Sequence, residues 1–157
     1  MGSSIKGSGH ALPKHLVKNE NFLTHSFYTK TGEKIQKPSK NIVQKLEEIS
    51  GIVERRYIGK DEESIALLKE AANKAITDAK LTPNDLGGII VAHNTGNARA
   101  NLGDCFHTVP NVAALLKNTL GVTNKNCPSY DILFGCPGWV EAMIQAHRMI
   151  KLGETNN

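Results

Sequence analysis

Apolar and polar residues follow two rhythms along this chain, and those rhythms divide it into helices and strands. Ile42, Leu46 and Ile49 recur every three or four positions and Gly51 follows them, which predicts a helix from Asn41 closed by a left-handed glycine. The same period runs longest over 61–80, where Ile65, Leu68, Ala72, Ala75 and Ala79 share a face. Its start is acidic and Lys80 stands at its end, as a helix dipole favours. Thr82, Pro83 and Asp85 then supply a cap, a first-turn proline and an acid three residues after the cap, so a single helical turn is expected. Residues 88–92 are instead continuously apolar, the pattern of a strand buried on both faces of a parallel sheet. A helix over about 110–120, ended by Gly121, and a short strand over 132–134 follow. From Pro137 to about Leu152 the helical period returns. Trp139, Met143, Ala146 and Ile150 form one stripe opposite Glu141, Gln145 and Arg148, which predicts an amphipathic helix with one deeply buried face.

The remaining stretches are less regular. Residues 4–6 read as a short strand that breaks into turns at Gly7 and Gly9; the rest of a dinucleotide fingerprint is missing, so a structural turn is expected there. Residues 18–40 are polar, with a turn over 29–34 and a break at Lys37-Pro38-Ser39. They read equally as a lid or binding loop and as a solvated excursion. Residues 52–58 form a short strand or an extended link. The order is βα repeated, which predicts an α/β fold without internal repeats.

Composition narrows the function. The chain has 157 residues, 39% hydrophobic and 22% charged, enough for one globular domain. The formal net charge is +4, the lysines along the first 80 residues are scattered without a run of five, and aromatics are only 5%, a pattern unlike the concentrated basic, aromatic face that binds nucleic acid. No stretch has the length of a transmembrane helix and no secretory signal is visible, so a cytoplasmic protein away from membranes is expected. Three cysteines, Cys105, Cys127 and Cys136, form neither a disulfide framework nor, with His93 and His107, a zinc spacing; free thiols and no metal are expected.

Cys136 has the most suggestive local setting. It follows a strand and Gly135 and precedes a helix, where the positive end of the dipole favours a thiolate. On local grounds it is either a nucleophile or a buried structural cysteine, and both readings stay open.

Several segments, taken in order, carry a family resemblance. They are residues 5–9 with Leu12-Pro13 and Asn19, Ser50-Gly51-Ile52-Val53-Glu54-Arg55-Arg56, and Ala71-Ala72 with Ala75. Residues 85–92, Asp131-Ile132 and Gly135-Cys136-Pro137-Gly138-Trp139 complete the set. With these, the chain resembles the N-terminal half of the β-ketoacyl-acyl carrier protein synthase III enzymes of the thiolase-like superfamily. The resemblance implies an α/β fold, the N-terminal half of a thiolase-like fold, with a mixed, mostly parallel sheet and helices on both faces. Residues 1–157 would then be a half-domain with an inserted loop at 24–40, the C-terminal half being absent through truncation or a split gene.

The resemblance also implies a chemistry. Cys136 would accept an acyl group from acyl-coenzyme A, and malonyl-acyl carrier protein would decarboxylate and attack it. No cofactor would be bound permanently; acyl-coenzyme A and acyl carrier protein would be the partners of a homodimer. Family members use a histidine and an asparagine of the C-terminal half for decarboxylation. None of His10, His15, His25, His93, His107 or His147 matches those motifs, so the fragment alone is expected to be inactive. Lys45 and Ile49 stand near the places where many bacterial members hold coenzyme A with a tryptophan and an arginine, and the loop 95–110 is long. A specialised ketosynthase with a non-acetyl primer, or a non-catalytic dimerisation or docking fragment, is the alternative. Coenzyme A-binding residues are not assigned.

Overall fold

A computed structural model of the chain describes residues 2–60, 62–98, 106–107 and 109–156. In chain order the elements are β1 His15–Lys18, α1 Ser39–Ser50, β2 Glu54–Tyr57, α2 Ser64–Asp78, β3 Ile89–His93 and β4 Asn97–Ala98. They continue with β5 Phe106–His107, α3 Val112–Thr119, β6 Ser129–Leu133 and α4 Gly138–Lys151. Two compact units divide them, residues 13–59 and residues 1–12 with 60–157.

In the smaller unit β1 and β2 run antiparallel, from His15 opposite Tyr57 to Lys18 opposite Glu54. Asn19 ties the end of β1 to α1 and β2. Its Nδ2 donates to Glu47 Oε2 and to the Ile52 carbonyl, both at 2.8 Å, and its Oδ1 accepts from Arg55 Nη2 at 2.7 Å. The Arg55 guanidinium lies 4.9 Å from the centre of the Phe22 ring, a cation–π distance. Residues 29–34 turn as expected, with a bridge between Tyr28 and Lys34 and Gly32 at φ 84°. Helix α1 ends at Gly51, whose φ of 68° is the left-handed cap that its sequence announced.

In the larger unit β3 and β6 pair in parallel, Ile89 opposite Ser129 through His93 opposite Leu133. The parallel pairing lies here; the other two described sheets, β1–β2 and β4–β5, are antiparallel pairs. Val112, Ala113 and Leu116 of α3, Ile76 of α2, Ile89 and Val91 of β3, and Cys127 make the buried core. Each fully buried branched aliphatic side chain of this kind contributes roughly 1.5–3 kcal/mol. The turn at Pro83–Asp85 carries the expected reciprocal cap, with Asp85 Oδ2 accepting from the Thr82 amide and hydroxyl at 2.7 and 2.6 Å.

The N-terminal residues depart from expectation. No strand forms over 4–6, and the glycine-bearing segment 7–9 that follows runs along α2. The reason is close approach. A Cβ on Gly9 would collide with the Ala71 carbonyl oxygen and the Ala75 amide, and one on Gly7 with the Ala75 carbonyl oxygen. The alanines of α2 are thus small because a glycine backbone lies on them. Replacing Gly9 by alanine is expected to destabilise the larger unit by about 1–3 kcal/mol, read as a lower urea midpoint at unchanged slope. Helix α2 is also shorter than predicted: it begins at Ser64, and at its carboxyl end Lys80 takes a φ of 58° and stops the run.

Candidate active site

Apolar residues put β3 and β6 side by side, and their carboxyl ends open into two loops at one edge. The Phe134 amide donates to the His93 carbonyl at 3.1 Å, so the pairing continues just past β6. The Gly138 amide then donates to the Gly135 carbonyl at 2.8 Å and closes a turn with Cys136 and Pro137 at its centre. Helix α4 starts one residue later than expected: Pro137 is the cap residue, and its carbonyl accepts the amides of Val140 and Glu141. Gly138 is buried at that start. A Cβ there would sit 3.1 Å from Phe134 Cβ and 3.5 Å from Ala92 Cβ, so a larger residue would push the helix off the sheet.

Burial separates the two described cysteines. Cys127 is buried, and burial pushes its thiol up against a smaller opposing pull from Lys117. The Lys117 ammonium donates to the Cys127 carbonyl at 2.6 Å. Cys136 is exposed on its turn. The structural-cysteine reading that stayed open for Cys136 therefore describes Cys127. Cys105, residues 99–104 and residue 108 of the long loop, and Asp61, the expected start of α2, lie outside the described residues.

Behind the Cys136 turn is a polar network that sequence reasoning did not assign. Asp131 of β6 accepts from His93 Nε2 at 2.9 Å and from the Val112 amide at 2.7 Å through Oδ2, and from the Ala113 amide at 2.7 Å through Oδ1. It caps α3 from another strand, while Asn111 Oδ1 caps the same helix locally through the Ala114 amide at 2.7 Å. Burial alone would raise the Asp131 carboxyl. The hydrogen bonds from His93, Ala113 and Val112 outweigh it and hold the group below the ordinary carboxylate range. The Gly96 amide donates to His93 Nδ1 at 2.9 Å. Next to it Asn97, 1% exposed, accepts through Oδ1 from Ser64 Oγ at 2.9 Å and from the Ile65 amide at 3.2 Å, capping α2. The available signal was an acid directly before the apolar run 132–134: a charge carried into a sheet requires partners, although spacing alone does not say which.

The apolar stripe of α4 is where expected, but it is not deeply buried. Trp139, Met143, Ala146 and Ile150 line an open cleft of about 540 Å³ whose other wall includes Leu68 and Ala72 of α2. Trp139 is 65% exposed and Met143 43%. Amphipathicity predicts which face seeks cover but not how much cover the neighbours supply, and a two-stranded parallel pair is narrow. Among the described residues no group of three His, Cys, Asp or Glu side chains is arranged to hold a metal, and no helix is long and apolar enough to cross a membrane.

Comparison with known proteins agrees with this architecture. No family model matches the chain. It is 32% identical over 157 residues to the β-ketoacyl-acyl carrier protein synthase III of Staphylococcus haemolyticus (strain JCSC1435), covering 100% of this chain and 42% of that protein. To the synthase III of Neisseria gonorrhoeae (strain NCCP11945) it is 30% identical over 155 residues, 99% of this chain and 41% of that one. The chain thus spans about two-fifths of the length of the curated relatives it matches. The solved 3-oxoacyl-acyl carrier protein synthase III of Aquifex aeolicus VF5 superimposes with a TM-score of 0.71 at 28% identity, over 98% of this chain and 42% of its own. An OleA of Xanthomonas campestris gives 0.76 at 21% identity, over 99% and 43%, a likeness of fold alone. The chain is therefore similar from end to end to the N-terminal half of the β-ketoacyl-acyl carrier protein synthase III enzymes, and it carries the α/β fold of their thiolase-like superfamily.

Proposed function

We propose that this chain carries the acyl-accepting half of a condensing acyltransferase of fatty-acid or related biosynthesis, with Cys136 as its nucleophile. The observation that supports it is an exposed thiol on the turn between β6 and α4, at the carboxyl edge of a parallel strand pair. The Cys136 thiolate attacks the acyl-coenzyme A carbonyl, the tetrahedral oxyanion collapses, and coenzyme A leaves as its thiolate, giving acyl-Cys136. The amino end of α4 and the Cys136 amide favour the negative charge that develops there. Malonyl-acyl carrier protein then loses carbon dioxide. Its carbanion attacks the acyl carbonyl, expels the Cys136 thiolate and yields the 3-oxoacyl-carrier product. The protein would work in the cytoplasm as a homodimer, with both thioesters as substrates and no permanently bound cofactor. Groups that promote decarboxylation would lie in the part of the relatives this chain does not span, so the 157 residues alone would not condense.

The test is mass mapping after incubation with a panel of acyl-coenzyme A thioesters. One acyl mass on the peptide holding Cys136 is the expected result, and the acyl group that adds fastest identifies the primer. Label on Cys127, Cys105 or no cysteine would overturn the assignment. Formation of a 3-oxoacyl product by the 157 residues unaided would contradict the proposed incompleteness.

One observation favours an association role beside the chemical one. Trp139, Val140, Met143 and Ile144 of α4 are all exposed, an apolar face of the kind that seeks a partner. Light scattering should show mass rising with concentration; a monomer at every concentration would remove this reading.

A further inference from the structure

His93 does more than end a strand. Its carbonyl accepts from the Phe134 amide at 3.1 Å, two residues before Cys136. Its Nε2 bonds to Asp131 at 2.9 Å, and its Nδ1 to the Gly96 amide at 2.9 Å. The carboxylate is an acceptor and the amide a donor, so these partners define one neutral tautomer with the proton on Nε2. Beyond Gly96, whose φ of 74° turns the chain, Asn97 caps the start of α2. One imidazole therefore joins the amino end of α3, through Asp131, to the loop that caps α2, and its own carbonyl pairs with Phe134, two residues before Cys136. The ring is 12% exposed and the carboxylate 9%, so water competes little for either bond.

We propose that His93 is a positioning residue that in its Nε2-protonated form holds residues 94–97, which follow directly on its backbone bond to Phe134 ahead of the Cys136 turn, and that it releases them when the ring gains a second proton. A proton on Nδ1 would face the Gly96 N–H, donor against donor, while the bond to Asp131 survives with added charge. The contacts are therefore unequal: one strengthens and the other is lost. Asp131 is the charged group bonded to the ring. Helix α3 contributes the partly positive amides of Val112 and Ala113, and its lysine, Lys117, is engaged at the Cys127 carbonyl. In the first turn of α4, Glu141 accepts from Gln145 at 2.6 Å. Glu62 and Glu63 precede α2, and His107 of β5 stands opposite Asn97 in register. The consequence for Cys136 rests on the nucleophile proposed above; the tautomer and the loop do not.

Nuclear magnetic resonance on the full chain tests it. The neutral His93 ring should be the Nε2–H tautomer, and Gly96 amide protection from exchange should fall about tenfold as the ring gains its second proton, beyond the change that solvent pH itself causes. His93→Asn, whose Oδ1 takes the place of Nδ1, should keep Gly96 protected without that inflection. His93→Gln, whose amide takes the place of Nε2, should leave Gly96 unprotected at every pH. An Nδ1–H ring, or a wild-type Gly96 amide with no inflection at the His93 titration, would overturn the proposal, and both are read on the wild-type chain should the variants fail to fold. Cys136 alkylation supplies the coupled readout: the ratio of wild-type to His93→Asn rates should change across the same titration, and a constant ratio would refute the effect on the turn. Because the Gly96 readout does not involve the thiol, failure of Cys136 to accept an acyl group would leave it intact and sink only the nucleophile.

Discussion

Replacing Cys136 by alanine is expected to abolish acyl transfer from acyl-coenzyme A to this chain while leaving its fold intact. The thiol is exposed on a turn and lies outside the buried core, so its removal should change stability by no more than about 0.5 kcal/mol. The chemical effect is total because no second nucleophile shares the turn: Gly135, Pro137 and Gly138 have none to offer. Cys136→Ser should also fail, since a serine hydroxyl, with its far higher pKa, is a far weaker nucleophile than a thiolate. Cys127→Ala should behave in the opposite way. It removes a side chain that is 1% exposed, so it should cost stability, yet leave the label on Cys136. Mass spectrometry of acylated digests, with a urea midpoint for each variant, separates the two outcomes. A Cys136→Ala chain that still takes up one acyl group would refute the assignment.

The largest effect on stability is expected from Asp131→Ala. That change leaves the Val112 and Ala113 amides and His93 Nε2 without their acceptor in one stroke. Buried donors left unpaired each cost about 1–3 kcal/mol, and partial relaxation and water entry reduce the sum. A loss on the order of 3 kcal/mol follows, or roughly 6–12 °C in Tm for a chain of this size. Asp131→Asn should fall between, because one carbonyl oxygen still accepts an amide while the NH2 group confronts another donor. The sign with pH is also defined. Asp131 is held below the ordinary carboxylate range in the folded state, so its contribution is complete above the unfolded value of about 3.9 and drains away as pH falls through its lower native value. Denaturant midpoints measured down the acid limb should fall in the wild type and be flatter in Asp131→Asn. Identical acid limbs would mean that another carboxyl carries the effect.

These two residues differ in how far the sequence announces them. Cys136 sits in a local pattern, strand, glycine, thiol, helix, whose parts lie within a few positions and can be read together. Asp131 and His93 are 38 residues apart, and nothing in the sequence near either one names the other. The pair exists because β3 and β6 run parallel in a register that sets His93 opposite Leu133, two positions beyond the acid. A register is a global property: it depends on the crossover through α3 as much as on the strands themselves.

Helix α1 with its left-handed Gly51, the capped turn at Pro83–Asp85, the apolar core of β3 and the amphipathic period of α4 were determined by the sequence itself. Each rests on forces that act over one or two turns of chain: capping hydrogen bonds, dihedral preference and side-chain periodicity. Only the tertiary structure decided that residues 4–6 form no strand and that Gly7 and Gly9 meet α2 at backbone distance. It alone decided that Cys127 is buried while Cys136 is exposed, and that the stripe of α4 lines an open cleft. Burial depends on what packs above a residue, and that neighbour can come from any distance along the chain.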